Sequence, residues 1–467
     1  MKASHRIRPV FDDPNLVSAA GLVAALRLAG AAGLYELCRV VSVRSANAVG
    51  KVASVVGGML AGADSIDDLG LLRHGGLGRL FSGVRAPSTL GTFLRSFTHG
   101  HVQQLDSVGG RLLAGLAARV PGLLAGAGAG RLVFVDIDDT VCEVHGHAKQ
   151  AAAVGYTGKR GLNLQAVTIA TAIAAPVIAR VRLRSGNTTS ATGVGQMLTQ
   201  GINIARTAGV AGQILARADS AFYGWAFVSA ALRAGAWFSV TAKLTSTVTK
   251  AIGRIPAKAW TGIDYPNAIY DEHEDRWISD AQVAEIDFVA FTKRRKAEHV
   301  PCRLVVRRVK RLAPRAGTGT QEELFTTYRY HAFITNSTLD TITADQHHRG
   351  HALIEQVIAE LKNGPLAHLP SGNYAANAAW ASCAAIAFNI ARATAVAAAM
   401  PTARWATVRT RIINIPARIA TTSRRIILHL PTHWPWTPNW NHLWHTANAP
   451  LSRASRNCPV ADMKPAR

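Results

Sequence analysis

The stretch RLVFVDIDDTVCEVHG, residues 131–146, constrains the fold more than any other part of the chain. Its opening run, Leu132 to Val135, is aliphatic and aromatic, the pattern of a buried strand, and predicts a strand over 131–137. The run leads straight into Asp136, Asp138 and Asp139. Carboxylates crowded at the end of a buried strand lose hydration and repel one another, so something positive must sit among them.

The remaining periodicities describe an α/β chain in five parts. Residues 1–124 carry helical spacing, as in NLVSAAGLVAALRLAGAAGLYELCRVV, with Ser65 and Ser88 as N-caps. They are expected to form a mostly helical N-terminal region. The Gly/Ala stretch GLLAGAGAG reads as a linker. Residues 130–243 alternate between the two periods. NLQAVTIATAI and PVIARVRLRSG extend the first strand into a meander. A helix over 190–208, a strand in GQILARADS, a helix over 221–234 and a strand in WFSVTAK follow. Residues 244–343 hold short β-prone runs, 302–306 and 326–335, and predict a β-rich insertion. Residues 344–400 return to helix, first in HHRGHALIEQVIAELKNG, ended by Gly364-Pro365, then in an uncharged Ala-rich segment over 374–390. That segment has few large apolar residues, which favours a buried helix over a membrane span. Residues 401–467 form a basic tail with strand-like pieces at 412–417 and 426–430, and its HWPWTPNWNHLW stretch reads as a packed strap.

Charge narrows the partner. The 467 residues hold 52 Lys and Arg against 28 Asp and Glu, a net charge of +24. Such an excess implies a polyanion, since phosphate backbones are bound through Lys and Arg. The densest run, KRRKAEHVPCRLVVRRVKRLAPR over 293–315, begins with Lys293, Arg294, Arg295 and Lys296. Hydrophobic residues make up 48% of the chain, which excludes a disordered protein. Five scattered cysteines without a CxxC pair exclude a disulfide framework and a zinc ribbon, and fit a reducing compartment. The opening MKASHRIRPVFDDPN has no apolar stretch of signal-peptide type. A cytoplasmic protein acting on nucleic acid is expected, with no membrane contact.

Asp136-x-Asp138-x-Thr140 behind a strand has two chemical uses. In haloacid-dehalogenase-like phosphatases the first Asp attacks phosphorus and the second acts as acid and base, with Mg²⁺ between them. That family also needs a late acidic metal site, which this sequence lacks downstream. In a ribonuclease-H-like nuclease core, the first strand supplies one metal-binding Asp, a later strand a second, and a helix a third acid. Two divalent ions held there serve in-line phosphodiester substitution, and carboxylates suit Mg²⁺ because it prefers hard oxygen donors. QILARADSAFYG supplies the second acid, Asp219, at a strand end. The helix around Glu355 supplies the third, with His351 one turn before it and Lys362 two turns after it on the same face.

DIDDTVCEVHGHAKQ, RADSAFY, FITN and RGHALIEQVIAELKNGPLAHLPSGNYAANAAW resemble the DDE transposases of bacterial insertion sequences, most closely insertion sequence family 1380 in its actinobacterial form. The resemblance runs from about residue 12 to residue 444. It implies cut-and-paste movement of the protein's own element by a ribonuclease-H-like catalytic core, interrupted by a β-rich insertion. It implies Asp138, Asp219 and Glu355 as catalytic metal ligands, with Asp136 and Asp139 as alternatives for the first and Glu360 for the third. It implies two Mg²⁺ ions, with Mn²⁺ as a substitute. The expected partners are the terminal inverted repeats and target DNA, met by a homodimer on paired ends. Lys362, Arg349, His351 and Lys293–Lys296 are the expected DNA contacts. Relatives place a Tyr and an Arg ahead of the Glu at fixed spacing; here Arg349 stands six residues before Glu355, and His347 or His348 takes the Tyr position. A relic that keeps the charge and has lost the chemistry is the third alternative.

Trp225, Trp237, Trp260, Trp277 and Trp380 are expected in the core, Trp260 and Trp277 being also candidates for stacking on a base. His145 and His147 have the spacing of a metal pair but no partner cluster, so a structural role is expected.

Overall fold

The computed structural model describes residues 7–146, 148–263, 269–271, 276–278, 281–310, 328–423 and 425–450. His147, residues 311–315 of the basic run, the Trp277 side chain and the end of the tail fall outside the described residues.

The first strand, β1 (Leu132–Glu143), runs through all three aspartates and does not stop before them. Its partner explains the extra length. An antiparallel neighbour, β2 (Arg160–Thr171), pairs with it from Val133↔Thr171 to Glu143↔Gly161. The third strand of the meander, β3 (Val177–Ser185), pairs antiparallel with β2. On the other side of β1 lie β4 (Gln213–Ala218) and β5 (Trp237–Thr241), both parallel to it. The strands of the 244–343 region continue the same sheet: β6 (Ala281–Ala290), β7 (Val300–Lys310) and β8 (Tyr328–Thr335) follow β5 in the order β8, β7, β6. The result is one 10-stranded mixed sheet, edged by the short segments Ala153–Val154 and Thr261–Ile263.

Helices cover it. The N-terminal set is α1 (Leu22–Ala31), α2 (Ala48–Ala61), α3 (Pro87–Arg95) and α4 (His99–Arg119). Between strands lie α5 (Val194–Thr207) and α6 (Trp225–Arg233). After the sheet come α7 (Thr341–Arg349), α8 (Leu353–Lys362) and the Ala-rich α9 (Tyr374–Ala397), then a hairpin of β9 (Ala417–Thr422) and β10 (Arg425–His429), and finally α10 (Thr437–Asn448). One apolar cluster runs from Val17 to Ala447, so the N-terminal helices, the sheet and the C-terminal segment share a core. Among the described residues α9 is the one helix long and apolar enough to cross a membrane, and it is instead buried against α4, α2 and β3.

Several boundaries differ from expectation for identifiable reasons. Residues 122–130 are no free linker: Leu123, Leu124 and Ala127 are buried, and the Ala127 carbonyl accepts from Ala211 and Gly212 N–H (2.9 and 3.0 Å). Ser65 accepts from Asp68 N–H (3.3 Å) but stands one residue ahead of Ile66, the N-cap of a short helical turn over Asp67–Arg73, and α3 starts at Pro87, whose fixed φ suits a first helical position, so Ser88 lies inside the helix. The helix expected from 221 starts at Trp225 because a short turn, Ser220–Phe222, intervenes. The strand expected over 412–417 is helical at Arg409–Ile413 and extended only from Ala417. There the chain is held against Gly21: a Cβ on Gly21 would lie 1.8 Å from the Ile412 carbonyl oxygen, so only glycine permits the approach.

β3 is an edge strand sealed by a side chain of α9. The buried Asn389 amide accepts from Ile178 N–H (2.8 Å) and donates to the Ile178 carbonyl (2.7 Å), next to the point where β2–β3 pairing shifts register. Asn389→Ala leaves both backbone groups unpaired in the core and is expected to cost about 2–4 kcal/mol. Urea denaturation of the variant beside wild type measures it.

Candidate active site

Pairing between β1 and β4 begins at Leu132↔Gln213 and ends at Asp136↔Arg217. Beyond that rung the parallel ladder stops while β1 continues, and the gap opens between Asp138 on one side and Asp219, just past the end of β4, on the other. The three aspartates of β1 have three different environments, because successive strand residues face opposite ways and because the neighbours change at the opening.

Asp136 sits on the last rung and is 1% exposed. Both its oxygens accept from Arg217, Nε at 2.6 Å and Nη2 at 2.7 Å, and His351 Nδ1 lies 3.3 Å away. Burial alone would raise its pKa, but Arg217 and His351 outweigh it and hold the carboxyl below its ordinary range. Arg217 also donates to the His347 carbonyl (2.5 Å) and lies over the Phe134 ring at 4.0 Å. Asp139 points the other way and pairs with Arg184 of β3 (2.5 Å), which also donates to Asn163.

Asp138 has no such cation among the described residues. It is half-buried, and the N–H of Asp139 donates to its Oδ1 (2.7 Å). Lost hydration pushes its pKa up to about 6, with the charges of Asp219 and Asp139 adding to the rise and His351 opposing it. Asp219 ends β4 and accepts from Ala221 N–H (2.9 Å), capping the short turn that follows. Glu355 lies exposed in the first turn of α8, which packs against β1. An open crevice of about 490 Å³ is lined by Asp138, Asp139, Thr140, Tyr156, Glu355 and Lys362, among others. Lys362 Nζ reaches back to Thr140 Oγ1 (3.5 Å) and the Val141 carbonyl (3.4 Å). Glu360 faces away and accepts from Trp405 N–H (2.7 Å).

The other expected contacts are dispersed. His351 touches Asp136. Arg349 pairs with the buried Asp345 (2.9 Å), which also accepts from Arg307 of β7 (3.0 Å). Lys293, Arg294, Arg295 and Lys296 are exposed on the turn between β6 and β7, where Arg294 pairs with Glu298 (2.8 Å). Of the tryptophans, Trp380 is fully buried, while Trp225, Trp237 and Trp260 are half-buried. Trp260 carries the Arg308 guanidinium over its ring at 4.1 Å.

The family model described as transposase DDE domain group 1 matches residues 2–452. The chain belongs to this transposase family. A comparison with curated proteins finds no match.

Sequence reasoning missed three residues at this candidate site: Arg217, Arg184 and Tyr156. Arg217 had a visible signal, a charge inside the apolar run of QILARADS, which requires a buried counter-charge. The crevice suits a divalent cation by its donor chemistry: it offers carboxylate oxygens, and Asp138 is dehydrated and repelled by two neighbours with no cation paired to it. Among the described residues no three His, Cys, Asp or Glu side chains meet closely enough to enclose a single ion.

Arg217→Met strands Asp136 in the core and is expected to cost about 3–5 kcal/mol by denaturant titration, with most of that recovered in Arg217→Met/Asp136→Leu. Because the native pKa of Asp136 is depressed, the stability it contributes is complete above about pH 4 and disappears as pH falls through its lower native value, so the double variant should lose less stability on acidification than wild type.

Proposed function

We propose that the transposase moves its element by cut-and-paste transposition, with Asp138, Asp219 and Glu355 holding two Mg²⁺ ions, Mn²⁺ substituting, and that it is affiliated with insertion sequence family 1380. The observation that carries this reading is the opening past the Asp136↔Arg217 rung, which leaves Asp138 and Asp219 at its two sides and Glu355 on the helix packed beside β1. The strand order β3-β2-β1-β4-β5, with only β1, β4 and β5 parallel, supports a ribonuclease-H-like core over 130–243 and 344–400, and β6–β8 support a β-rich insertion over 244–343. Residues 1–124 are assigned to end recognition and dimer contacts, and 401–467 to a basic tail.

When bound, the two ions supply Lewis-acid stabilisation of the attacking and leaving oxygens at phosphorus. The chain's own groups do the rest. Asp138, Asp219 and Glu355 would be the groups that hold the ions, Asp138 and Asp219 from the two sides of the opening and Glu355 from α8. Asp136 and Asp139 stay neutralised by Arg217 and Arg184, which keeps the local anionic charge on the three ligands. The Lys362 ammonium, on the same crevice as Glu355, binds a DNA phosphate, and the exposed Lys293–Lys296 turn tracks the backbone further out. Water attacks the phosphorus at the element end and the 3′-oxygen leaves as a 3′-hydroxyl; that hydroxyl then attacks a target phosphodiester, whose own 3′-oxygen leaves as the new bond forms, in a homodimer that holds both terminal repeats. The phosphatase reading requires Asp136 as nucleophile, yet both its oxygens are bonded to Arg217 away from solvent.

DNA carrying the sequences that flank the gene should be nicked at the element end with Mg²⁺ and not with chelator. Asp219→Asn should lose at least about a thousandfold in rate while keeping DNA affinity; cleavage at wild-type rate by this variant would remove the assignment, and binding without cleavage by wild type would mark a relic. Mg²⁺ should also raise the melting temperature. The raised native pKa of Asp138 means that unliganded stability falls as pH climbs from about 4 to about 6, so the Mg²⁺ shift should be larger at pH 7.5 than at pH 5. Asp138→Asn should stabilise the unliganded protein at neutral pH and abolish that shift.

A further inference from the structure

The hairpin ahead of β2 presents one side chain that the three-carboxylate reading does not use. Gly155–Gly158 is a tight turn, closed by Gly158 N–H onto the Gly155 carbonyl (3.1 Å), with Gly158 at φ +72°. The turn is braced on several sides. Gly155 lies so close to the chain after β3 that a Cβ there would meet the Gly186 carbonyl oxygen at 2.6 Å. Lys159 pairs with Glu143 at the end of β1 (3.0 Å), and Arg160 donates to the Gly146 carbonyl (2.6 Å). Tyr156 stands at the tip of this turn. It is 87% exposed and, among the described residues, makes no hydrogen bond or ring contact.

Isolated exposed apolar groups are ordinary on protein surfaces. The position of Tyr156 is what sets it apart. Its ring lines the same crevice as Asp138, Glu355 and Lys362, and the charges of Asp139, Asp219 and Asp138 all reach its hydroxyl. A braced turn therefore holds an uncovered aromatic ring beside the acids while α8 presents an ammonium from another element of the same crevice. Aromatic rings bind nucleotides through their faces without regard to base identity, and an ammonium binds phosphate. The two together match one nucleotide and its phosphate.

We propose that Tyr156 is a substrate-contact residue that positions the cleaved strand: its ring packs on the nucleotide adjoining the scissile phosphate, so that the strand lies between the hairpin tip and Lys362. This rests on the reading of the crevice given above as the cleavage site. The contact belongs to the ring, not to the hydroxyl, and it acts on binding before any bond is broken.

The test uses the full-length protein and a duplex carrying the sequences that flank its gene, with 2-aminopurine placed beside the cleavage position. In chelator, where no cleavage occurs, wild type and Tyr156→Phe should quench the probe and Tyr156→Ala should not. With Mg²⁺, Tyr156→Ala should raise KM roughly tenfold with kcat nearly unchanged, and Tyr156→Phe should stay within about twofold of wild type. The melting temperature should be the same in all three, because the side chain is exposed. Equal quenching and KM in wild type and Tyr156→Ala, absence of quenching by wild type, or a Tyr156→Phe defect as large as that of Tyr156→Ala would each overturn the proposal. Asp219→Asn separates this from the underlying reading: it should quench normally and fail to cleave, and if it cleaves normally it is the three-carboxylate assignment that falls.

Discussion

Asp136 and Arg217 face each other across the final rung of the parallel ladder, and much of the site hangs on that contact. The guanidinium is bonded to two elements at once. It closes β1 onto β4 through Asp136, and it donates to the His347 carbonyl at the end of α7. Gly350 gives it room: a Cβ at that position would stand 2.8 Å from Arg217 Nη1. The joint between α7 and α8 is thereby drawn onto the strand that carries Asp138, and α8 brings Glu355 and Lys362 with it. A charge pair this deep does little for net stability compared with apolar packing, but breaking it is costly, and that asymmetry suits an element that sets geometry.

A second buried contact fixes the same helix pair from its other side. His348 is sandwiched into the sheet, its ring stacked on Phe333 of β8 at 4.1 Å and bonded to the hydroxyls of Ser239 and Thr241 on β5 (2.8 and 3.0 Å). Burial pushes its pKa down to about 3, so it remains a neutral, hydrogen-bonding group across the physiological range. Asp345, one turn earlier, gathers Arg349 and Arg307. Through these residues α7 is tied to β5, β7 and β8, so the strands of the 244–343 region and the helix bearing Glu355 are mechanically connected.

The electrostatic arrangement follows from how positive charge is distributed. The chain carries a net charge of +24, and the acids at and beside the crevice of Asp138 and Glu355 are sorted. Asp136 and Asp139 are neutralised by buried arginines, while Asp138 is dehydrated and, among the described residues, has no paired cation. Carboxylates gathered in this way repel one another, and the net positive charge of the chain favours the approach of DNA, the polyanion on which transposases act.

Local pattern carried most of the secondary structure. The apolar runs located the meander, β4, β5 and the Ala-rich α9, because period-2 and period-3.6 repeats report directly on which faces are buried. Spacing also drew attention to Asp138, Asp219 and Glu355, since each follows a buried apolar run or lies on a helix face where buried apolar residues make a carboxylate conspicuous. Pattern failed where distant chain decides local form: β1 runs past its aspartates because β2 pairs with it, the 409–413 segment turns helical against Gly21, and the 122–130 segment is packed and hydrogen-bonded, not free. Which of three neighbouring aspartates is left without a cation could not be read locally either. Arg217, Arg184 and Trp405, the residues that occupy Asp136, Asp139 and Glu360, lie far along the chain from the acids they satisfy, and only folding brings them within reach. The sequence by itself determined the supply of acids, bases and strands; the tertiary structure decided which acids remain available, because neutralising a buried charge depends on which cation the fold delivers to it.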